Sequence, residues 1–350
     1  MQKIIINNVE IGENCKPYIV AELSGNHQQD YQLAEQMIEA AAIAGVDAIK
    51  LQTYTADTMT LDCQSSDFII SETDSLWHGD NLHQLYQKAA TPWEWHEALF
   101  KKSQSLGMCA FSSPFDASAV DFLETLDVPC YKIASFENND LPLIKKVAQT
   151  GKPIIISTGM ATKAEIQAAI TTIEQQNNFQ IIILKCTSNY PANALDSNLI
   201  TIKDMQAEFN YPIGLSDHSI GNTVALASVA LGACLLEKHF VLDKNAGGVD
   251  AEFSIDAKEL ASLVKESKKV FNAVGKVVYG GTENEQLSKK YRRSIYISED
   301  AKMGDILTNE NIKIVRPGFG LEPKHFSDVL GKKLKQSVTK GTALSWDLIS

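Results

Sequence analysis

Eight short runs of apolar, β-favouring residues recur between residues 18 and 239, most followed by a stretch with helical spacing. They are "YIVAE" (18–22), "VDAIKLQ" (46–52), "MCAFSS" (108–113), "PCYKIAS" (129–135), "PIIIST" (153–158), "IIILKCT" (181–187), "PIGLS" (212–216) and "ACLLEKH" (233–239). Between them lie amphipathic stretches such as "YQLAEQMIEAAAIAG" (31–45) and "AEIQAAITTIEQQ" (164–176), with apolar residues three and four apart. Gly45, Gly107, Gly151 and Gly232 stand where such helices would end. Strands alternating with helices imply a parallel sheet. Eight such units predict an α/β chain closed into a (β/α)8 TIM barrel. The segment 53–92 is too long for a simple connection and reads as a decorated loop over the barrel mouth.

The pattern changes after residue 275. The barrel is expected over 1–278 and a polar linker over 279–293, followed by a small domain over 294–350. Within that domain "KMGDILTNENI" (302–312) nearly repeats as "TKGTALSWDLI" (339–349), which suggests two half-units with pseudo-twofold symmetry. "RPGFG" (316–320) is a loop between them.

The chain carries 32 Lys and Arg against 43 Asp and Glu, a net charge of −11. That balance argues against nucleic acid or an anionic membrane as the main partner. It leaves room for an anionic small molecule in a lysine-lined cleft. No run is long enough to span a bilayer, and the N-terminus lacks a signal-peptide pattern. The six cysteines are scattered, and Cys109, Cys130, Cys186 and Cys234 lie in or beside strand runs. Reduced core thiols in a cytoplasmic protein are expected.

Barrel chemistry sits at the C-terminal ends of the strands. In chain order those ends supply Glu22; Lys50 and Gln52; Ser112 and Ser113; Lys132, Ser135 and Glu137; Ser157 and Thr158; Lys185, Ser188, Asn189 and Tyr190; Ser216, Asp217 and His218; and Glu237 and His239. One polar rim residue means little, but two lysines near strand centres are costly to bury without an anion. Together with several hydroxyls they form a plausible cradle for phosphate or carboxylate. A pairing of Lys50 and Lys132 with Glu22 and Glu137 is the plainer alternative. His218 and His239 close neighbouring strands, which lie about 4.8 Å apart. Two imidazoles with room for water suit a divalent transition metal; on spacing alone they are equally readable as rim histidines. His78, His83 and His96 are expected at the surface, and His27 is ambiguous. Trp93 and Trp95 read as packing residues.

"AELSGNH", "AIKLQTY", "YKIAS", "ISTGM", "GLSDHS", "EKHF" and "RPGFG" together resemble the sialic acid synthase family, in one order over essentially the whole chain. The resemblance implies a (β/α)8 barrel followed by an antifreeze-like SAF domain. "SLWHG", "TPWEWH" and "FSSPFD" are similar to the branch of that family that makes pseudaminic acid. That branch is a transferase activity: it joins phosphoenolpyruvate to 2,4-diacetamido-2,4,6-trideoxy-L-altrose and releases phosphate by C–O cleavage. Through the resemblance, Lys50, Ser113, Lys132, Ser135, Ser188 and Ser216 match phosphoenolpyruvate-binding positions, with Ser157 close by. Ser113 stands where the sialic acid branch has Thr. Ser188 stands where it has Asn, and Asn189 could substitute. His218 and His239 match metal ligands, the metal usually being manganese, with cobalt or magnesium as alternatives. Glu22, Gln52, Glu137, Tyr190 and Asp250 match positions that contact the sugar or assist catalysis. Glu22 is the expected proton carrier, with Asp250 able to share the role. Arg316 matches an arginine that the SAF domain of a partner subunit extends over the active site, which implies a domain-swapped homodimer.

Three other readings remain open on the sequence. One is the same chemistry on N-acetylmannosamine or a legionaminic precursor. Another is an unrelated metal-dependent barrel hydrolase. The third is a binding or ice-interacting role for the C-terminal module, which its charged "KHFSDVLGKKLKQ" disfavours.

Overall fold

The computed structural model describes residues 3–71 and 75–350. The chain divides into two compact units, Met1–Gly275 and Lys276–Ser350. The division falls a few residues before the boundary expected from sequence.

The first unit opens with an antiparallel hairpin of β1 (Ile4–Ile6) and β2 (Val9–Ile11). Asn7 and Asn8 form its turn with φ of 46° and 66°, the left-handed geometry that two-residue hairpins need. Eight parallel strands then close a barrel in simple chain order. They are β3 (Tyr18–Glu22), β4 (Ala48–Thr53), β5 (Cys109–Pro114), β6 (Tyr131–Ile133), β7 (Ile154–Ser157), β8 (Ile181–Cys186), β9 (Ile213–Asp217) and β10 (Leu235–His239). Each matches one of the eight apolar runs, and β10 pairs with β3 to seal the ring.

Side chains alternate across each strand, and both faces are buried. Ile19, Ile49, Ile133, Ile154, Ile183 and Leu215 belong to the core shared with the helices. Tyr18, Val20, Phe111, Cys130, Ile155, Ile182 and Leu184 fill the barrel interior. Ile4, Ile6 and Ile11 join that inner cluster, so the hairpin plugs the end of the barrel where the strands begin. The inner face therefore opens only toward the strands' carboxyl ends. Continuing the inward alternation past the apolar layer delivers Glu22, Lys50, Ser113, Lys132, Ser157, Ser216 and Glu237.

The outward face holds polar residues too. Lys238 and Asp217 meet at 2.8 Å, both buried, and Lys238 also donates to the Ser219 carbonyl at 2.6 Å. This pair ties β9 to β10 immediately beside His218 and His239. His96, expected at the surface, is fully buried: its Nε2 lies 2.8 Å from Thr53 Oγ1 behind β4. Trp93 stacks on Phe122 at 4.8 Å between centroids, a packing role as expected.

The excursion after β4 holds short helices at Ala56–Met59 and Leu82–Ala89, bridged between Ile69 and Asn81. Residues 72–74 of this segment lie outside the described residues.

In the second unit the 279–293 stretch, read as a polar linker, carries a helical turn at Glu283–Gln286 and a 3-10 segment at Leu287–Tyr291. Strands β11 (Ser294–Ile297) and β12 (Ile312–Val315) pair antiparallel. The near-repeat is visible in the packing: Leu307 and Leu344 are equivalent and both buried, as are Ile312 and Ile349. Among the described residues, no helix is long and apolar enough to cross a membrane.

Candidate active site

A cavity of about 840 Å³ opens at the carboxyl ends of the barrel strands. Its floor is ionic. Lys50 Nζ lies 2.7 Å from Glu22 Oε2 and 3.1 Å from Glu237 Oε1. Lys132 Nζ reaches the same Glu237 oxygen at 3.5 Å. Ser216 donates to that oxygen at 3.2 Å, and Ser113 accepts from Lys50 at 3.4 Å. Of the alternative pairings, Lys50 with Glu22 is present, whereas the carboxylate that meets Lys132 is Glu237. Burial pushes the Lys50 ammonium down to about 8 against the opposing pull of Glu237. Burial pushes the Glu237 carboxyl up, but Lys132 and Lys50 outweigh it and hold the group well below its ordinary value. Two ammonium groups are thus balanced by two carboxylates.

One wall is made of hydroxyls around a glycine. The Gly159 amide donates to Ser135 Oγ at 3.1 Å. A Cβ on Gly159 would fall 2.7 Å from Ser135 Oγ and collide with Ser188 Oγ. The "STG" glycine is therefore what lets the two serines converge, a role that its sequence setting did not announce. Ser157, Asn189 and Gln52 line the same cavity.

Two imidazoles stand opposite. The rings of His218 and His239 lie 5.2 Å apart between centroids. His218 Nδ1 lies 3.0 Å from the Thr187 carbonyl, an atom that can only accept, so Nδ1 carries a proton and in the neutral ring Nε2 keeps its lone pair. His239 Nδ1 faces Asp250 Oδ2 at 3.5 Å, too long for a formed bond, and has no hydrogen-bond partner. Burial pushes His239 down, which favours the neutral ring. An imidazole that holds its far nitrogen toward a carbonyl or carboxylate is the usual posture of a metal ligand. The donor set thus fits a divalent ion, although among the described residues no group of three or more His, Cys, Asp or Glu is placed to hold one. Asp250 is delivered by Asn26, the buried Asn of "GNH". Its Nδ2 donates to the Phe240 carbonyl at 2.9 Å, and its Oδ1 accepts the Asp250 amide at 3.2 Å.

Tyr190 packs its ring 4.6 Å from His218, and Trp77 leans against Tyr190 at 6.1 Å. Burial pushes Glu137 up to about 7, and its Oε2 is buried without a partner. Ser157 Oγ, Glu237 Oε2 and His239 Nδ1 share that condition and line the same cavity. Such groups are rare in folded proteins and cluster where a ligand satisfies them.

Not every expected site residue lines the cavity. Glu22 is fully buried beneath it, and Ser113 touches it only through Lys50. Arg316 is exposed and belongs to the second unit. Cys186, read as a core thiol, is buried with its sulfur 3.8 Å from His218 Nδ1.

A family model described as NeuB family matches residues 37–279, well over half of the chain. The chain belongs to the NeuB family. A SAF domain follows at 292–350. The NeuB relatives include a pseudaminic acid synthase of Helicobacter pylori, 43% identical over 338 residues, covering 95% of this chain and 97% of that one. A pseudaminic acid synthase of Campylobacter jejuni is 42% identical over 329 residues, covering 94% and 95%. The crystal structure of an N-acetylneuraminic acid synthetase from Leptospira borgpetersenii, in complex with citrate, superposes with a TM-score of 0.74 at 32% identity. It covers 82% of this chain and 95% of that one.

Because the serine wall depends on a missing Cβ, Gly159→Ala fills the cradle. We expect it to raise the KM for phosphoenolpyruvate at least tenfold while the thermal melting temperature stays within a few degrees. An unchanged KM would show that the wall does not contact substrate.

Proposed function

We propose that this chain condenses phosphoenolpyruvate with 2,4-diacetamido-2,4,6-trideoxy-L-altrose to give pseudaminic acid and phosphate. The observation that carries the reading is the floor, where two buried lysines flank one carboxylate under a rim of unpartnered polar atoms. Similarity to two pseudaminic acid synthases supports the choice of sugar.

Phosphoenolpyruvate would lie with its anionic groups against Lys50 and Lys132, within reach of Ser135, Ser157, Ser188 and Ser216. Its C3 attacks the aldehyde carbon of the open-chain sugar, forming the new C–C bond as the C=O π bond opens to an alkoxide. That alkoxide becomes the product hydroxyl by gaining the proton released when water adds at C2. Positive charge then develops at C2, where the Glu137 carboxylate stabilises it. Water adds at C2, the C2–O bond breaks, and phosphate leaves. Of the two carboxylates read as proton carriers, Asp250 lines the cavity and is the better placed to take the proton of that water. Glu22 instead holds Lys50 in position. Gln52, Asn189 and Tyr190 would orient the sugar.

His218 and His239 would hold a divalent ion through Nε2, manganese being the family's usual metal and cobalt or magnesium its alternatives. When bound, that ion supplies Lewis-acid polarisation of the sugar carbonyl. A two-imidazole donor set over a lysine floor suits this chemistry better than a barrel hydrolase, which calls for more ligands. The enzyme would act as a homodimer in which the partner's Arg316 closes over the sugar.

Phosphate release from phosphoenolpyruvate, measured against a panel of acetamido sugars, tests the assignment. The altrose sugar should be turned over far faster than N-acetylmannosamine; the reverse order would point to the sialic or legionaminic branch. The shifted groups imply a pH profile as well. Glu137 must be ionised, and its carboxyl sits near 7, so kcat/KM should rise through about 7. Lys50 must be charged, and its ammonium sits near 8, so kcat/KM should fall above about 8. Glu137→Gln should remove the acidic limb, and its survival in that variant would assign the limb to another group.

A further inference from the structure

The helix Leu82–Ala89 belongs to the long excursion after β4. Leu82, Leu85, Tyr86 and Ala89 fall at the i, i+3, i+4 and i+7 positions of one face. Such a stripe ordinarily faces a core. Here all four line the cavity, and neither leucine nor Tyr86 is part of a hydrophobic core cluster among the described residues. The opposite face carries exposed Gln84, Gln87 and Lys88. The amphipathic pattern is intact, but its apolar side is turned toward the site.

The helix is also held firmly. Asn81 caps it by accepting from the His83 and Gln84 amides, and donates to the Cys63 carbonyl at 2.8 Å. At the other end Gln29 Nε2 donates to the Gln87 carbonyl at 2.6 Å. Ala89 sits so close to Gly25 that a Cβ there would lie 3.0 Å from it. The stripe is therefore a fixed wall.

We propose that this wall is the specificity element for the sugar: it receives the C6 methyl group and selects 6-deoxy over 6-hydroxy sugars. The inference rests on the reading of the site given above. The reacting C1 must lie at the ionic floor between Lys132 and the imidazoles. The far end of an open-chain hexose then points away from the strands, toward the wall built by the excursion. A methyl group is at home against Leu82 and Leu85. A hydroxymethyl group would bury its hydroxyl beside two side chains that offer it no partner. Apolar pockets reject an added hydroxyl by roughly 100-fold at most, which sets the expected scale.

The test compares kcat/KM for 2,4-diacetamido-2,4,6-trideoxy-L-altrose with that for its 6-hydroxy counterpart. The unaltered enzyme should favour the deoxy sugar by about 10–100-fold. Leu85→Asn and, separately, Leu82→Asn should each narrow that ratio about tenfold or more, with the KM for phosphoenolpyruvate held within about twofold. Equal rates on the two sugars by the unaltered enzyme would overturn the proposal, whether or not either variant folds. So would a full preference retained in both folded variants. If the enzyme turns over neither altrose sugar but accepts N-acetylmannosamine, the assigned sugar is wrong. The wall is then tested by the same ratio for 6-deoxy-N-acetylmannosamine against N-acetylmannosamine, and preference for the hydroxylated sugar would overturn it.

Discussion

Glu237 stands between two buried ammonium groups, and the rest of the site follows from that placement. Burying each of these charges alone would cost several kcal/mol. Lys50 offsets its cost with Glu22 and Glu237, while Lys132 has Glu237 as its nearby carboxylate. The arrangement is nearly neutral without substrate, so the barrel can fold around it. It is also primed for an anion, because Lys132 meets its carboxylate only at 3.5 Å and keeps donors for an incoming ligand. The hairpin plug at the other end keeps this floor dry from below, which preserves the strength of its charges.

The strands supply the floor through alternation, and the loops supply selectivity. One face of β10 carries Glu237 and His239 inward while Lys238 points outward to Asp217. The outward pair fixes the register of the two strands whose ends bear the imidazoles. The excursion after β4 adds what the strands do not, an apolar wall facing a polar floor. A site with one charged side and one greasy side suits two substrates joined within it, an anionic one on the floor and a neutral, methyl-bearing one against the wall.

Much of this was legible in the sequence because alternation in a fully buried strand leaves little freedom. The apolar runs marked the strands, and the polar residues that close them marked Lys50, Ser157, Ser216 and His239, which the structure brings to one interior face. Where the reading fell short, the cause was partner choice across the barrel. Glu237 was read as a polar strand end, yet it shares the inward face of His239 and meets both lysines. Glu22 was read as a proton carrier, and the structure shows it fully buried at the end of β3 and paired with Lys50. His96 was placed at the surface, whereas its ring is buried between the Pro92 carbonyl and the Thr53 hydroxyl. The hairpin escaped notice because its three-residue strands carry too little pattern. The stripe on Leu82–Ala89 was hidden inside a segment read as loop, and periodicity alone does not say whether such a stripe faces core or ligand.

The central claim is that the paired lysines seat phosphoenolpyruvate, and calorimetric titration of that compound tests it most directly. Lys132→Met keeps the length of the side chain and removes its charge. A charge-assisted contact of about 1.5–3 kcal/mol predicts affinity weaker by roughly 10–100-fold. Unchanged affinity in a folded Lys132→Met enzyme would contradict the account.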